Sequence, residues 1–287
     1  MSAGPATAGW YADPYRTAQL RWWDGRQWSG YVVGAPIPPA PSSPLPVAPA
    51  PAWAPPPRYR LPGLGVAALG LLGGSGLGFL IVFILDRAGQ PGGTAVTLSL
   101  SEVGLWSGLV GAVFFASRRW GTGRFSTDFG WRIRPVDAGL GVLGAAAGHA
   151  AGAVAVLPLY AAFHDLVRQP QVGLPQDQIH GAVWPVYGVI VILGAPVIEE
   201  LFFRGLVQTR LVARLGPAWG IAATSVIFGA AHLIGWQGAG SLLAATAIAA
   251  SGAVLGFLRY RTGRLGTSTV AHALFNAMAF ALLAAGV

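Results

Sequence analysis

The sequence predicts an all-α, polytopic membrane helix bundle of about seven transmembrane helices, preceded by a small β-hairpin module and a proline-rich linker. Three observations carry this. Hydrophobic residues make up 54% of the 287 positions and charged residues only 10%, which is not the composition of a soluble domain. The apolar residues gather into runs of about 20, the length that crosses a bilayer. The arginines fall in the short loops between alternate runs, so the net charge of +8 reports membrane orientation and argues against a nucleic-acid partner.

Residues 1–33 form the first unit. Its core is "GWYADPYRTAQLRWWDGRQWSGYVV" (9–33). Here "RWWDGRQW" predicts a β-hairpin, with Asp24–Gly25 supplying the positive-φ turn between aromatic strands. So short a segment buries little core, so its stability must rest on Trp packing and be marginal. Residues 34–61 are a Pro/Ala-rich linker. Positions 34–57 hold half of the chain's 22 prolines, which predicts a spacer of about 75 Å at roughly 3.1 Å per residue.

Residues 62–287 form the transmembrane domain, with spans near 63–85, 97–117, 137–162, 182–203, 217–235, 239–258 and 266–286. Thirteen arginines lie on one side of this arrangement (58, 60, 118, 119, 124, 132, 134, 204, 210, 214, 259, 261 and 264) and only Arg87 and Arg168 on the other. The positive-inside rule then places the N-terminus in the cytosol and the C-terminus outside, in the cell membrane. The N-terminus lacks a signal-peptide pattern, which leaves targeting to the first span. Glycines at 70/74/78 and 144/148/152 supply the small-residue spacing of closely packed helices. Cysteine and lysine are absent, which excludes disulfides, thiolate metal sites, and cysteine or lysine chemistry.

Ionisable side chains inside a membrane are costly and mark working sites. Two of the chain's three glutamates, Glu199 and Glu200, stand side by side after eighteen uncharged residues. Glu200 and Arg204, Phe228 and His232, and His272 and Asn276 are each four apart, which puts each pair on one helix face. If the fourth and fifth spans fold as a hairpin at Gly216–Pro217, Glu199 lies level with His232, and Phe203 faces Phe228. His272 joins that level if the hairpin rises roughly 10–12 Å further into the cytosol, by the helical rise per residue. Such an arrangement predicts a polar cavity open to the cytosol, with the arginines of "RGLVQTRLVARLG" in water or headgroups.

"EELFFR", "FGAAH" and "HALFN", in this order on successive spans, resemble the E-E-x-x-x-R, F-x-x-x-H and H-x-x-x-N motifs of the CAAX-protease and bacteriocin-processing (Abi) family of intramembrane peptidases. The resemblance covers about 180–287, with the motifs in 195–276. "GWYxDP" and "RWWDGxxW" resemble a short Trp-rich bacterial module of unknown function. The first resemblance implies an intramembrane endopeptidase acting on a peptide or membrane-protein substrate; the second leaves the module either as a binder of a protein partner or as an inert miniature domain.

The residues support the same chemistry. Glu199 and His232 can hold and deprotonate a water, while His272 and Asn276 can donate to the developing oxyanion. Glu200 with Arg204 is a structural ion pair that can also orient substrate, and Phe228 packs beside His232. Family members are described both as metalloproteases and as metal-independent glutamate peptidases. Zinc, if bound, would fall to Glu199, His232 and His272; the missing HExxH and the presence of Asn276 favour a metal-free site. His149 and Glu102 are set outside the site as packing or hydrogen-bonding residues, and His164 and His180 as surface residues. Two other readings use the same residues: a non-catalytic binding or immunity scaffold, and a proton-coupled transporter with Glu199, His232 and His272 as relay. The second lacks the internal repeat such transporters carry.

Overall fold

The computed structural model describes residues 7–15, 17–34, 63–90, 93–167, 183–233 and 239–284. The linker beyond Gly34, Arg168 and His180 lie outside the described residues, as does the His164 side chain. The chain divides into two units, Met1–Pro49 and Ala50–Val287.

The first unit is a three-stranded antiparallel sheet in the order β1 (Gly9–Ala12), β2 (Leu20–Trp23), β3 (Trp28–Val33). The expected hairpin is β2–β3. Trp23 pairs with Trp28 around a loop in which Gly25 takes φ +99° and the Asp24 Oδ1 accepts from the amides of Arg26 and Gln27, each at 2.7 Å. Strand β1 adds to it with Trp10 opposite Trp22. Trp23 and Trp28 pack edge to face at 5.1 Å, and Tyr11 meets Trp28 at 6.2 Å.

Trp packing is only half of what holds this unit. The Asp13 side chain is fully buried beside Arg21, whose Nε donates to it at 2.8 Å. It also accepts from the amides of Tyr15, Thr17 and Ala18 and from the Thr17 hydroxyl. This one carboxylate organises the β1–β2 connection. The Arg21 hydrogen bond, then those from Thr17 and the loop amides, hold the Asp13 carboxyl well below the usual carboxylate range.

The second unit is helical: α1 (Leu64–Arg87), α2 (Gly93–Trp120), α3 (Phe125–Asp128), α4 (Val136–Val167), then a long apolar stretch containing α5 (Val183–Val189), α6 (Ala195–Glu199) and α7 (Gln208–Ala231), and finally α8 (Ala239–Thr262) and α9 (Gly266–Ala284). Among the described residues five helical segments are long and apolar enough to cross a membrane, which makes this a multi-pass membrane protein. One of them, Pro185–Ala231, has 47 residues and is folded double at Gly216 (φ +78°, ψ 170°). Gly220 there lies directly against the Val212 backbone. The expected seven spans count both arms of this helix and add α9.

The glycine spacings serve as predicted. Gly70, Gly74 and Gly78 of α1 lie against Gly108, Leu105 and Ser101 of α2; Gly144, Gly148 and Gly152 of α4 lie against Ala271, Ser251 and Ala247. Large apolar side chains face outward, Leu69 and Leu143 being 73% and 68% exposed, as a lipid-solvated surface requires. The interior gathers Leu109, Val113, Phe129, Phe202, Phe203, Leu206, Phe228 and Leu265.

Of the arginines of "RGLVQTRLVARLG" expected in water or headgroups, Arg204 and Arg210 are buried, and so is Arg259 of the expected loop after the sixth span. Arg259 Nη2 donates to the Phe129 carbonyl at 2.9 Å, and Arg210 lies over the Phe129 ring. Closing the loop that carries Phe129 onto the helix ends supplies these partners and removes the water.

Two outcomes follow from this packing. Gly108→Val places a Cβ against the backbone of Gly70 and Gly74 and will lower stability by about 1–3 kcal/mol, read as the thermal midpoint in detergent, whereas Gly111→Ala, with open space around it, will not. For the N-terminal unit the sign follows from a depressed folded-state pKa: the Asp13 contribution is present above the unfolded value of about 3.9 and is lost as pH falls below it. Acid titration of the chain, followed by a probe in this unit, will show its unfolding moved to higher pH by Arg21→Gln.

Candidate active site

The site is built on a helix that is not uniformly α. Ile190–Gly194 and Glu200–Val207 are π-helical and flank α6. Within the first, the amide of Ala195 reaches back five residues to the Ile190 carbonyl. The next link in that register would run from residue 196 to Val191, but residue 196 is proline and has no N–H to give. The Val191 carbonyl instead accepts from Asn276 Nδ2 of α9 at 2.9 Å. Asn276 therefore pins the widened turn immediately ahead of the two glutamates, and one of its two amide hydrogens remains for other use.

The second π stretch carries Glu200 and Arg204, both buried: Glu200 is 0% exposed and Arg204 1%. Glu200 Oε1 lies 3.2 Å from Arg204 Nη1 and 3.2 Å from His272 Nδ1. Arg204 in turn donates from Nη2 to the Gly252 carbonyl of α8 at 3.2 Å and stacks its guanidinium over the Phe228 ring at 4.1 Å. The Phe228 ring is the apolar hub: it meets Phe203 at 5.0 Å, His232 at 4.9 Å and His272 at 5.6 Å, all edge to face. The Phe203–Phe228 contact is the one the hairpin count predicts.

Glu199 is placed differently from its neighbour. Its side chain keeps 12% exposure, and its Oε2 lies 3.8 Å from His272 Nε2, too long for a direct hydrogen bond. Among the described residues that buried oxygen accepts no hydrogen bond. His232 ends α7, and its Nδ1 is bonded to the Phe228 carbonyl at 2.8 Å. A ring nitrogen facing a carbonyl is the N–H one, which leaves Nε2 as the acceptor. The structure thus brings Glu199, Glu200, Arg204, Phe228 and His272 together directly, attaches His232 through Phe228, and holds Asn276 one turn along α9 against Val191.

Glu102 of α2 was not part of the sequence-derived site, but the fold turns it inward. Ser101, Gly104, Leu105 and Gly108 of α2 face α1. Trp106, Leu109 and Val113 lie on a second face about a third of a turn away, with Trp106 against Gly194 and the other two in the core with Phe202 and Phe203. Glu102 shares that second face, one turn from Trp106, within electrostatic reach of Glu199 and Tyr187. Its four-residue spacing from Trp106 was the available signal. His149 stacks on Phe275 at 4.2 Å, as a packing histidine does.

Among the described residues no three His, Asp or Glu side chains are grouped so as to hold a metal ion. A cavity beside Arg204 is lined by Gln208, Thr209, Val212, Arg259 and Tyr260, but not by Glu199 or His272, so it is not the expected catalytic cavity.

Comparison with known families agrees with the motifs. Residues 181–278 match the model of the type II CAAX prenyl endopeptidase Rce1-like family, and residues 8–44 match a family of proteins of unknown function, DUF2510. Neither a curated protein nor a solved structure matches the chain.

Removing Arg204 takes the arginine partner from a fully buried carboxylate, Glu200. Arg204→Met will cost about 3–5 kcal/mol, the usual penalty for an orphaned buried charge. The double variant Glu200→Gln/Arg204→Met will recover part of it; thermal unfolding in detergent measures both.

Proposed function

We propose that this chain is an intramembrane endopeptidase that hydrolyses a peptide bond near the cytosolic membrane face. The observation that carries the reading is the buried Arg204–Glu200–His272 array, which aims His272 Nε2 at the Glu199 carboxylate, within a segment matching a prenyl-endopeptidase family.

We draw the roles from the chemistry of hydrolysis. A water held between Glu199 and His232 Nε2 gives its proton to Glu199 as its oxygen attacks the scissile carbonyl carbon. The carbonyl oxygen, now negative, accepts from His272 Nε2–H and the remaining Asn276 amide hydrogen. With Nδ1–H committed to Glu200, His272 donates from Nε2 only as the imidazolium, and the adjacent carboxylates offset its charge. The C–N bond then breaks, and the proton on Glu199 passes to the leaving amine. Glu200 and Arg204 touch neither water nor substrate; they orient His272. The cytosolic placement rests on the thirteen-to-two arginine asymmetry. The match of residues 181–278 to that family makes a prenylated or hydrophobic C-terminal peptide the first substrate class to try.

The test is mass-spectrometric detection of cleavage after incubating purified protein with prenylated and unprenylated peptide libraries. Glu199→Gln and His232→Ala are expected to lower turnover by about 10²–10⁴-fold, and Asn276→Ala by about 10²–10³-fold, with folded yield of the first two unchanged. Product formation undiminished by Glu199→Gln would falsify the assignment.

A further inference from the structure

Among the described residues the N-terminal sheet is packed on one side only. Paired residues of an antiparallel sheet share a face, and alternate residues along a strand share it too. Tyr11, Arg21, Trp23 and Trp28 therefore line one face, where they contact one another and Asp13. Trp10, Leu20, Trp22, Tyr31 and Val33 line the other. There Trp10 and Trp22 stand edge to face at 5.5 Å, yet Trp10 is 45% exposed and Tyr31 74%. Among the described strand residues no charged side chain shares this face.

We propose that this bare aromatic face is a binding site for a polyproline-II strand, and that its occupant is the proline-rich segment of the same chain, residues 35–49. Four observations identify the occupant. The segment "APIPPAPSSPLPVAP" carries no charge and five of its first ten residues are proline, so it matches an uncharged aromatic face. It leaves the sheet at that face: Val33 pairs with Leu20, and the next residue, Gly34, has φ +84° and lies against the Gln19 side chain. Only glycine adopts that conformation freely, and it allows the chain to reverse over the sheet. The reach is sufficient, since six residues in this conformation span about 19 Å at roughly 3.1 Å each, against roughly 12 Å diagonally from β3 to the Trp10 end of β1 at sheet spacings. Finally, the family match for this unit does not stop at Val33 but runs to residue 44, through Pro36, Pro38, Pro39, Pro41 and Pro44.

The physical reason for the pairing is general. A polyproline-II strand has no internal hydrogen bonds and is already ordered before it binds, so docking on aromatic rings costs little entropy. The sheet in return covers Trp10 and Tyr31, a gain of the usual order for aromatic burial. The inference stands apart from the proteolytic reading, because no residue of the membrane unit enters it.

The test uses the full chain in lipid nanodiscs with the photo-crosslinker benzoylphenylalanine at position 12, which is exposed and pairs with Leu20 on the bare face. Irradiation, proteolysis and mass spectrometry then identify what lies on it. Crosslinks to residues 35–49, reduced at least tenfold by Pro36→Gly, Pro38→Gly, Pro39→Gly and Pro41→Gly together, are expected. These substitutions lie outside the sheet, and β-strand pairing in the variant is checked by a second probe at position 29. Crosslinks confined to lipid, crosslinks to an isotopically labelled second copy, or no crosslinks to 35–49 would each overturn the proposal.

Discussion

A carboxylate with no exposure to water is the constraint around which the membrane unit is arranged. Glu200 in a low-dielectric interior is tolerable only with positive or hydrogen-bond-donating partners on it. It takes Arg204 from its own helix and His272 from α9. Arg204 carries the demand further, to the Gly252 carbonyl of α8 and the face of Phe228 on α7. One buried charge therefore fixes the relative rotation of four helical segments. Its neighbour, Glu199, keeps a small exposure and a buried oxygen that accepts no hydrogen bond among the described residues, so the two adjacent glutamates differ in how they are held.

The helix irregularity serves the same arrangement. Pro196 withholds an amide that the π-helical register needs, and Asn276 supplies the missing donor from another helix. The repair ties α9 to the Glu199 segment at a second point, one turn from His272. Widened turns of this kind recur at functional sites because they rotate side chains out of the ordinary helical phase. Close glycine contacts between α1 and α2 and between α4 and its neighbours let the remaining helices approach without competing for that centre.

Buried carboxylates organise the rest of the chain by the same logic on a smaller scale. Asp13 gathers a loop and Arg21 in the N-terminal unit. Asp128 accepts from Ser117 and Thr122 where α2 ends, and Asp137 ties the start of α4 to Arg264 and Thr267 at the start of α9. Each is satisfied by groups close by, which is why none of them reads as a working site.

By itself the sequence determined the helical membrane class, the approximate spans, the reversal at Gly216, the Trp23–Trp28 hairpin and the residue pairs sharing a face. All of these are properties of a single element or a single turn, where 3.6-residue periodicity, glycine and proline act locally. Only the tertiary structure decided that Glu102 turns toward Glu199, that Asn276 binds the Val191 carbonyl, that β1 completes the sheet, and that Arg210 and Arg259 are buried. Those depend on the rotation of one element against another, which is set by side chains interlocking across the interface, and a periodic pattern along one helix does not contain it.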